Sequence, residues 1–405
     1  MRTTTVIVGA GHAGLAMSRR LTERSIDHVV IERGEVANSW RTERWPTLRL
    51  LTPNWQTTLP DYSYDGDDPD GYLAVAEVVD TISSYAKHVD APVQTNTTVE
   101  SVGMGSDGFR VTTDQGVWDA RTVVLATGAC NRASVPGCAA GVPASITQIT
   151  PIEYRGADAL PEGQGVLVVG GSATGAQLAH EIHLSGRPVT LSTGELVRMP
   201  RTYRDRDIFY WMDQAGILDE RYDEIDDIAR ARHLPSPQLV GTPERASLDL
   251  NSLQAIGVRV VGKLGGVLEG KAQFAGGLAN IAKLSDLKMH RMLNTIDESA
   301  GFDRDDALRP APTVVDESTL LGIDLLSGEI KTIVWATGYR PDYSWLDVDV
   351  LDRKGQLKHD GGVVTDAPGL YVLGLPLLRR RRSTFLHGAS ADSADLAEHL
   401  AASLA

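Results

Sequence analysis

The residues in this chain best suited to chemistry on phosphate groups form two glycine-rich turns. The first turn, at 9–14, has the sequence GAGHAG and follows an apolar stretch at 5–8 that is predicted to be a strand. In the spacing G-x-G-x-x-G, Gly9 allows the tight turn, Gly11 lets the backbone approach a diphosphate, and Gly14 lets helix and strand pack closely. The free N–H groups at the start of the following helix then face the phosphate charge.

A carboxylate follows the first turn at a distance typical of ribose recognition. The second predicted strand, 28–31, ends in Glu32, which lies 18 residues after Gly14. An acid about 20 residues after the glycines commonly binds ribose hydroxyls. Strand, turn, helix, strand and acid occur in the order of a dinucleotide-binding βαβ unit, so Glu32 is a candidate cofactor-binding residue.

The second turn, at 170–175, repeats this pattern with one change. Its sequence is GGSATG, between a predicted strand at 166–169 and a predicted helix at 176–185. Gly170 and Gly175 occupy the outer glycine positions, and Ser172 replaces the middle glycine. A small hydroxyl side chain still allows close approach of a phosphate and can donate a hydrogen bond to it.

The strand after the second turn, 188–191, ends without an acid. Without a carboxylate there is no repulsion against a 2′-phosphate, and Arg187, Arg198 and Arg201 lie nearby in the sequence. This unit is therefore predicted to bind NADPH in preference to NADH.

The remaining strands and helices suggest how the two units are connected. Apolar strands end in Ala-Thr-Gly at Gly128 and Gly338, and we expect them to carry the chain between two nucleotide domains. Both glycines are candidate cofactor-binding residues, at points where the backbone passes near a cofactor. A strand at 370–374 and a helix at 389–404 should return to the first domain. The predicted fold is α/β, with two doubly wound Rossmann-like dinucleotide-binding domains, the second inserted into the first. The predicted bounds are 1–158 and 329–405 for the FAD domain and 159–328 for the NADPH domain, with the active site in the cleft between them.

Composition excludes several classes of partner. The 405 residues include 53 acidic and 39 basic ones, a net charge of −14, which argues against nucleic acid or an anionic membrane. The sequence has neither a signal-peptide pattern nor an apolar run of about 20 residues. Cys130 and Cys138 lack C-x-x-C spacing and form no disulfide framework, so we expect a cytoplasmic protein without a dithiol relay.

Further motifs give the chain a family resemblance over nearly its whole length. They are SWR at 39–41, LRL at 48–50, TP at 52–53, LP at 59–60, SYAKH at 84–88, YR at 339–340, SWL at 344–346 and GAS at 388–390. With the two glycine turns, they resemble the class B, single-component, NADPH-dependent flavin monooxygenases, and most of all the YUCCA-type enzymes and their bacterial relatives.

The resemblance implies positions for both cofactors. FAD would bind at the first turn with its ribose at Glu32, and the second turn with Thr174 would bind NADPH. Arg201 follows Pro200 as in YUCCA-type enzymes, which favours a place near NADPH. Residues expected to line the flavin are Trp40, Arg41, Thr52, Asn54, Gly388 and Ala389, and His387 is a further candidate beside the ring.

The resemblance also implies an activity. NADPH would reduce FAD, and a C4a-(hydro)peroxyflavin formed with O₂ would oxygenate a small organic substrate. One departure bears on this step, because the family fingerprint F-x-G-x-x-x-H has Ala144, Ile146 and Thr150 at its Phe, Gly and His positions. The alternative is therefore an NADPH oxidase or flavin reductase of the same fold that releases hydrogen peroxide. A third hypothesis is a redox-sensing flavoprotein that regulates another protein.

Three other groups have a structural and a functional interpretation. His180 and His183 lie three residues apart on a predicted helix, without the H-E-x-x-H metal pattern, so no metal is expected. His387 either packs in the interior or tunes the flavin. The arginines at 379–382 form either a solvated loop or a clamp for cofactor phosphates or an anionic substrate. The sequence leaves open the substrate, the type of oxygenation and the oligomeric state, with a homodimer among the options.

Overall fold

The computed structural model describes residues 1–161, 164–315 and 320–405. The strands are β1 (Arg2–Val8), β2 (His28–Ile31), β3 (Thr58–Leu59), β4 (Tyr62–Ser63), β5 (Val93–Gln94), β6 (Val99–Gly105), β7 (Gly108–Thr113), β8 (Gly116–Leu125), β9 (Arg132–Ala133), β10 (Thr147–Ile149), β11 (Gly165–Val169), β12 (Val189–Ser192), β13 (Thr202–Tyr203), β14 (Arg206–Asp207), β15 (Arg259–Val261), β16 (Leu264–Leu268), β17 (Lys271–Phe274), β18 (Gly322–Asp324), β19 (Ile330–Trp335), β20 (Tyr339–Arg340), β21 (Leu346–Asp347) and β22 (Leu370–Val372). The helices are α1 (His12–Glu23), α2 (Asn38–Thr42), α3 (Val75–His88), α4 (Ala173–Leu184), α5 (Ile208–Gln214), α6 (Ile228–Arg232), α7 (Leu250–Ala255), α8 (Leu278–Ala300) and α9 (Gly388–Leu404).

The first sheet combines strands from both ends of the sequence. Its parallel part has the order β5-β2-β1-β8-β22, and β8 continues into an antiparallel meander with β7 and β6. The register pairs Val6 with Val123 and Val123 with Leu370, so β1, β8 and β22 end at the same edge. These valine- and leucine-rich strands are buried, as expected where helices cover a parallel sheet. The predicted return of the C-terminal strand and helix is confirmed, since α9 packs against α1.

The second sheet is entirely parallel, with the order β10-β19-β11-β12-β15. Its strands span Thr147–Trp335, so the sheet extends one strand beyond the predicted range 159–328 on either side. In the sequence, β10 and β19 adjoin the segments that cross between the two sheets, and only their pairing shows which sheet they join. A small antiparallel sheet, β16-β17-β18, packs beside the second sheet.

The two crossing segments lie next to each other. They pair as the antiparallel strands β9 and β20, with Ala133 opposite Tyr339 and Arg132 opposite Arg340. Each crossing follows directly after an Ala-Thr-Gly sequence, and Gly128 and Gly338 have φ of 77° and 94°. Glycine accommodates this left-handed backbone without a steric penalty. In the described ranges, no helix is long and apolar enough to cross a membrane.

Candidate cofactor and active site

The first glycine turn has the geometry of a phosphate-binding turn. Gly9 has φ of 109°, and a Cβ there would lie 2.7 Å from the Ala126 carbonyl oxygen. A Cβ on Gly14 would collide with the Gly9 carbonyl, so this glycine permits the close packing of α1 on β1. At Gly11, by contrast, a Cβ would meet nothing within 4 Å. Of the three glycines, Gly11 therefore has open space around it, and it is the glycine at which the motif brings the backbone close to a ligand.

Glu32 is held against this turn by backbone N–H groups. Its side chain is buried, and its carboxylate accepts hydrogen bonds from the N–H of Ala10 at 2.9 Å and of Gly34 at 3.2 Å. The carboxylate is thus fixed at the end of β2, beside the cavity into which the turn opens. This placement agrees with the predicted ribose contact.

One cavity of about 630 Å³ connects the two predicted cofactor sites. Among the predicted residues, those that line it are Gly9, Gly11, Glu32, Trp40, Thr52, Gly128 and Thr174. The first residues of α4 form part of its wall through Ala173, Thr174 and Gln177. Each glycine turn therefore places the N-terminus of its helix at the same cavity, between the two sheets.

The second glycine turn matches the first in its packing. Gly170 has φ of 114°, and a Cβ there would collide with the Ala336 carbonyl oxygen. A Cβ on Gly175 would likewise collide with the Gly170 carbonyl, so both outer glycines serve close packing. Ser172 precedes α4 with an extended backbone and makes no capping hydrogen bond through its side chain.

The arginines predicted to select NADPH are buried in the second unit. Arg198 is 5% exposed and pairs with Asp249 at 2.6 Å and Asp286 at 2.8 Å. Arg187 donates to the Leu160 and Pro161 carbonyl oxygens at 2.8 and 3.0 Å. Both guanidinium groups are therefore already paired within the second unit, and neither side chain lines the cavity.

Arg201 supports the cavity wall from behind. It is 1% exposed, pairs with Asp207 at 2.6 Å, and donates to the Leu51 carbonyl oxygen at 2.8 Å. Its guanidinium also lies over the rings of Tyr72 and Phe209, at 5.0 and 5.3 Å from their centroids. Arg201 therefore joins the second unit to the loop that carries Leu51, and it does not face a cofactor.

A lysine missed in the sequence lies where the arginines were expected. Lys263 is exposed, follows β15, and packs its side-chain carbons along Gly194, 3.3 Å from the position of a Cβ there. Nearby, Glu195 pairs with Lys288 at 3.0 Å. In the sequence, this lysine could have been found as a basic residue just after β15, the third strand of the unit. It lies at the carboxyl edge of the sheet, where ligands bind in such folds.

Several predicted flavin-lining residues lie outside the cavity. Arg41 is exposed and donates to the Val36 carbonyl and the Ser83 hydroxyl, and Asn54 donates to the Asp68 carbonyl. Gly388 and Ala389 have packing roles instead, because a Cβ on Gly388 would collide with the Arg382 carbonyl oxygen and Ala389 is 1% exposed. Gly338 also lies outside the cavity, although a Cβ there would meet nothing within 4 Å. The predicted flavin-lining residues are distant from the glycine turns in the sequence, so their positions were predicted only from the family resemblance.

His387 is a packing residue. It is 8% exposed, its ring lies 5.6 Å from that of Phe385, and neither ring nitrogen has a hydrogen-bond partner in the described part of the chain. Burial, assisted by the Arg382 guanidinium, lowers the pKa of His387 to about 3. The ring is therefore neutral at ordinary pH, behind the cavity wall.

The far wall of the cavity is apolar. Its residues are Leu50, Leu51, Leu239, Val240, Phe385 and Leu386. They come from the first unit, the second unit and the C-terminal segment, so the wall closes only when all three are in place. An apolar wall excludes water and suits a small organic molecule.

The four arginines at 379–382 are neither a solvated loop nor a phosphate clamp. Each pairs with carboxylates, Arg379 and Arg380 with Asp395 on α9, Arg381 with Glu220, and Arg382 with Asp219. Backbone hydrogen bonds join the same two segments, at 218–222 and 379–382. The arginine run thus fastens the second unit to the C-terminal helix.

The altered fingerprint positions lie away from the cavity. Ile146 is 5% exposed in the core of the second unit, and Thr150 bonds to the Glu153 carboxylate.

Cys130 lines the cavity, and burial raises the pKa of its thiol. Within the described residues, no group of three or more His, Cys, Asp or Glu side chains is arranged to hold a metal. On α4, a ring nitrogen of His183 bonds to the Ile256 carbonyl oxygen.

Comparison with known proteins places this arrangement in context. Residues 6–213 match the family model described as pyridine nucleotide-disulphide oxidoreductase. An uncharacterized oxidoreductase, CzcO-like, from Geobacillus kaustophilus is 29% identical over 96% of this chain and 95% of its own length. Indole-3-pyruvate monooxygenase YUCCA6 from Arabidopsis thaliana is 30% identical over 48% of this chain and 49% of its own. The flavin-containing monooxygenase structure from Stenotrophomonas maltophilia has a TM-score of 0.71 at 19% identity, covering 100% of this chain and 99% of that one. These findings confirm the resemblance to class B flavin monooxygenases with YUCCA-type and bacterial relatives.

Proposed function

We propose that this chain, which belongs to the pyridine nucleotide-disulphide oxidoreductase family, is a flavin-dependent monooxygenase that uses FAD and NADPH on a small organic substrate. The observation that carries this proposal is the single cavity shared by the first glycine turn and the start of α4. Two dinucleotides whose binding sites open into one cavity can bring their reactive rings together.

The residues present fit the two cofactors. For FAD we propose Gly9 and Gly11 at the diphosphate and Glu32 at the ribose, because the open space at Gly11 matches the need of a phosphate. When bound, FAD accepts a hydride from NADPH and passes the electrons to O₂. For NADPH we propose Ser172 and Thr174 at the start of α4.

Lys263 is our candidate for recognition of the 2′-phosphate. It replaces Arg187, Arg198 and Arg201 in that role, since those three side chains are buried against carboxylates and carbonyl oxygens. An exposed ammonium at the carboxyl edge of the sheet can pair with a phosphate without displacing another ion pair.

We propose that the second sheet and its helices form an NADPH unit inserted into a discontinuous FAD unit. The shared membership of β8 and β22 in one sheet supports this division, as does the pairing of the crossing strands β9 and β20. Relative to the predicted bounds, the inserted unit would also include β10 and β19.

The alternative is an NADPH oxidase or flavin reductase of the same fold. It is favoured by Ala144, Ile146 and Thr150, whose side chains contribute nothing to the cavity. We do not propose disulfide reduction, because burial disfavours the thiolate of Cys130, and Cys138 does not line the cavity.

The deciding experiment measures three quantities on FAD-loaded protein in isotopically labelled O₂. They are NADPH consumed, hydrogen peroxide released, and label incorporated into products of an amine, sulfide and carbonyl panel. Label in one product at close to one oxygen atom per NADPH supports the monooxygenase. Peroxide equal to the NADPH consumed with every compound would support the oxidase and contradict our proposal.

A further inference from the structure

Glu181 connects two parts of the chain that line the cavity. It is on α4, one turn beyond Gln177, so the helix that lines the cavity through Ala173, Thr174 and Gln177 also carries this carboxylate. The facing wall is the loop at 44–50, whose Arg44, Leu48 and Leu50 also line the cavity.

Each carboxylate oxygen of Glu181 accepts a hydrogen bond from a different part of the chain. Oε2 accepts from the Thr47 hydroxyl at 2.6 Å, in the middle of that loop. Oε1 accepts from the Tyr154 hydroxyl at 2.9 Å, on the segment that leads into the second unit. One side chain thereby connects the loop of the first unit, the connecting segment and the helix of the second unit.

The surroundings of this carboxylate restrain it further. Tyr154 is 1% exposed, and its ring meets Trp45 edge to face at 6.5 Å between centroids. Arg155 donates to the carbonyl oxygen of Thr42, the last residue of α2, at 3.1 Å, so the connecting segment is also bonded to the chain just before the loop. Aromatic packing and two charge-assisted hydrogen bonds leave the carboxylate little freedom to move.

We propose that Glu181 is a positioning residue that fixes the spacing between the α4 wall and the 44–50 wall of the cavity. Resting on the proposed function, this spacing sets the approach of the nicotinamide to the flavin, which hydride transfer requires to be close and well aligned. Loss of the link should slow flavin reduction while both cofactors remain bound.

The test removes one partner at a time. Thr47→Val keeps the shape of the side chain and deletes the donor, Thr47→Ser restores the donor, and Glu181→Gln deletes the charge. Glu298→Gln, an exposed glutamate on α8, is the matched control. Two readouts are made on FAD-loaded protein: deuterium exchange of the backbone amides at 42–50 without NADPH, and anaerobic stopped-flow reduction by NADPH.

In Thr47→Val and Glu181→Gln we expect exchange at 42–50 to be faster and the limiting rate of flavin reduction to fall by about tenfold. FAD content and the Kd for NADPH should stay within about twofold of wild type, while Thr47→Ser and Glu298→Gln should behave as wild type. Unchanged exchange in Thr47→Val, or equal effects of Thr47→Val and Thr47→Ser, would overturn the proposal. If NADPH fails to reduce even the wild-type protein, the proposed function fails, and the exchange data alone decide the role of Glu181.

Discussion

Phe209 and Phe385 pack edge to face, with ring centroids 5.6 Å apart and ring planes at 87°. Phe209 belongs to α5 and is 2% exposed, whereas Phe385 precedes α9 and lines the cavity. An ion pair joins the same two segments, because Arg382 lies 3.6 Å from Asp213 on α5. The apolar wall of the cavity is therefore set by contacts between the second unit and the C-terminal segment.

Replacement of Phe209 by Leu should loosen this wall. We expect the free energy of unfolding to fall by about 1 kcal/mol, because the edge-to-face pair is lost while most apolar burial is kept. Denaturant unfolding of the FAD-loaded protein measures this loss. A more mobile Phe385 should also admit water, so the fraction of NADPH released as peroxide should rise. An unchanged peroxide fraction in a destabilised Phe209→Leu variant would show that the pair does not seal the cavity.

The glycines of the first turn should respond differently to alanine. In Gly9→Ala the new Cβ meets the Ala126 carbonyl at a positive φ, so we expect a lower thermal midpoint even without FAD. In Gly11→Ala the Cβ enters open space, so the apoprotein should fold normally and lose FAD affinity by at least tenfold. Gly266→Ala, also in open space but outside the cavity, is the control. Full yellow holoprotein from Gly11→Ala would contradict the placement of the diphosphate.

Coenzyme preference should depend on Lys263 and not on the buried arginines. We expect Lys263→Ala to raise the Kd for NADPH by about tenfold, the loss of one charge-assisted hydrogen bond, and to leave the Kd for NADH nearly unchanged. Titration of protein fluorescence with each coenzyme measures both constants. Lys271→Ala, an exposed lysine on the neighbouring small sheet, should alter neither. Equal loss of affinity for both coenzymes would remove Lys263 from the 2′-phosphate.

The buried His387 predicts acid sensitivity. Its pKa falls from 6.5 to about 3, so between these values the unfolded chain takes up a proton that the folded protein resists. The contribution of the neutral His387 to the free energy of unfolding is fully present above pH 6.5 and is lost as pH falls toward 3. The thermal midpoint should therefore drop between about pH 7 and pH 5, and drop less in His387→Gln. The exposed His88→Gln variant should follow wild type, and parallel curves for all three proteins would exclude His387 as the source.

Much of the fold could be predicted from local sequence. Valine- and isoleucine-rich runs beside glycine turns predicted β1, β2, β11 and β12, because parallel strands buried on both faces need such residues. The grouping of Gly9, Gly11 and Glu32 at one cavity could be predicted for the same reason, since their spacing is set within one βαβ unit.

What the sequence could not predict depends on contacts between distant residues. Arg198 lies close to the second turn in sequence, but its partners Asp249 and Asp286 are 51 and 88 residues away. Arg381 and Arg382 likewise pair with Glu220 and Asp219, more than a hundred residues earlier. Proximity in sequence suggested free cations in both places, and only the three-dimensional pairing shows that the charges are already neutralised.

The pairing of β22 with β8 has a consequence for how the protein is synthesised. The strand that completes one side of β8 lies 245 residues further along the chain, from Leu125 to Leu370. At ribosomal speeds of about 5–20 residues per second, that edge stays uncovered for roughly 12–50 s, while the whole second unit emerges. An exposed hydrophobic strand edge is a template for aggregation during this interval. The yield of native protein therefore depends on the rate of translation and on how early the second unit folds. Co-expressed holdase chaperones should raise this yield.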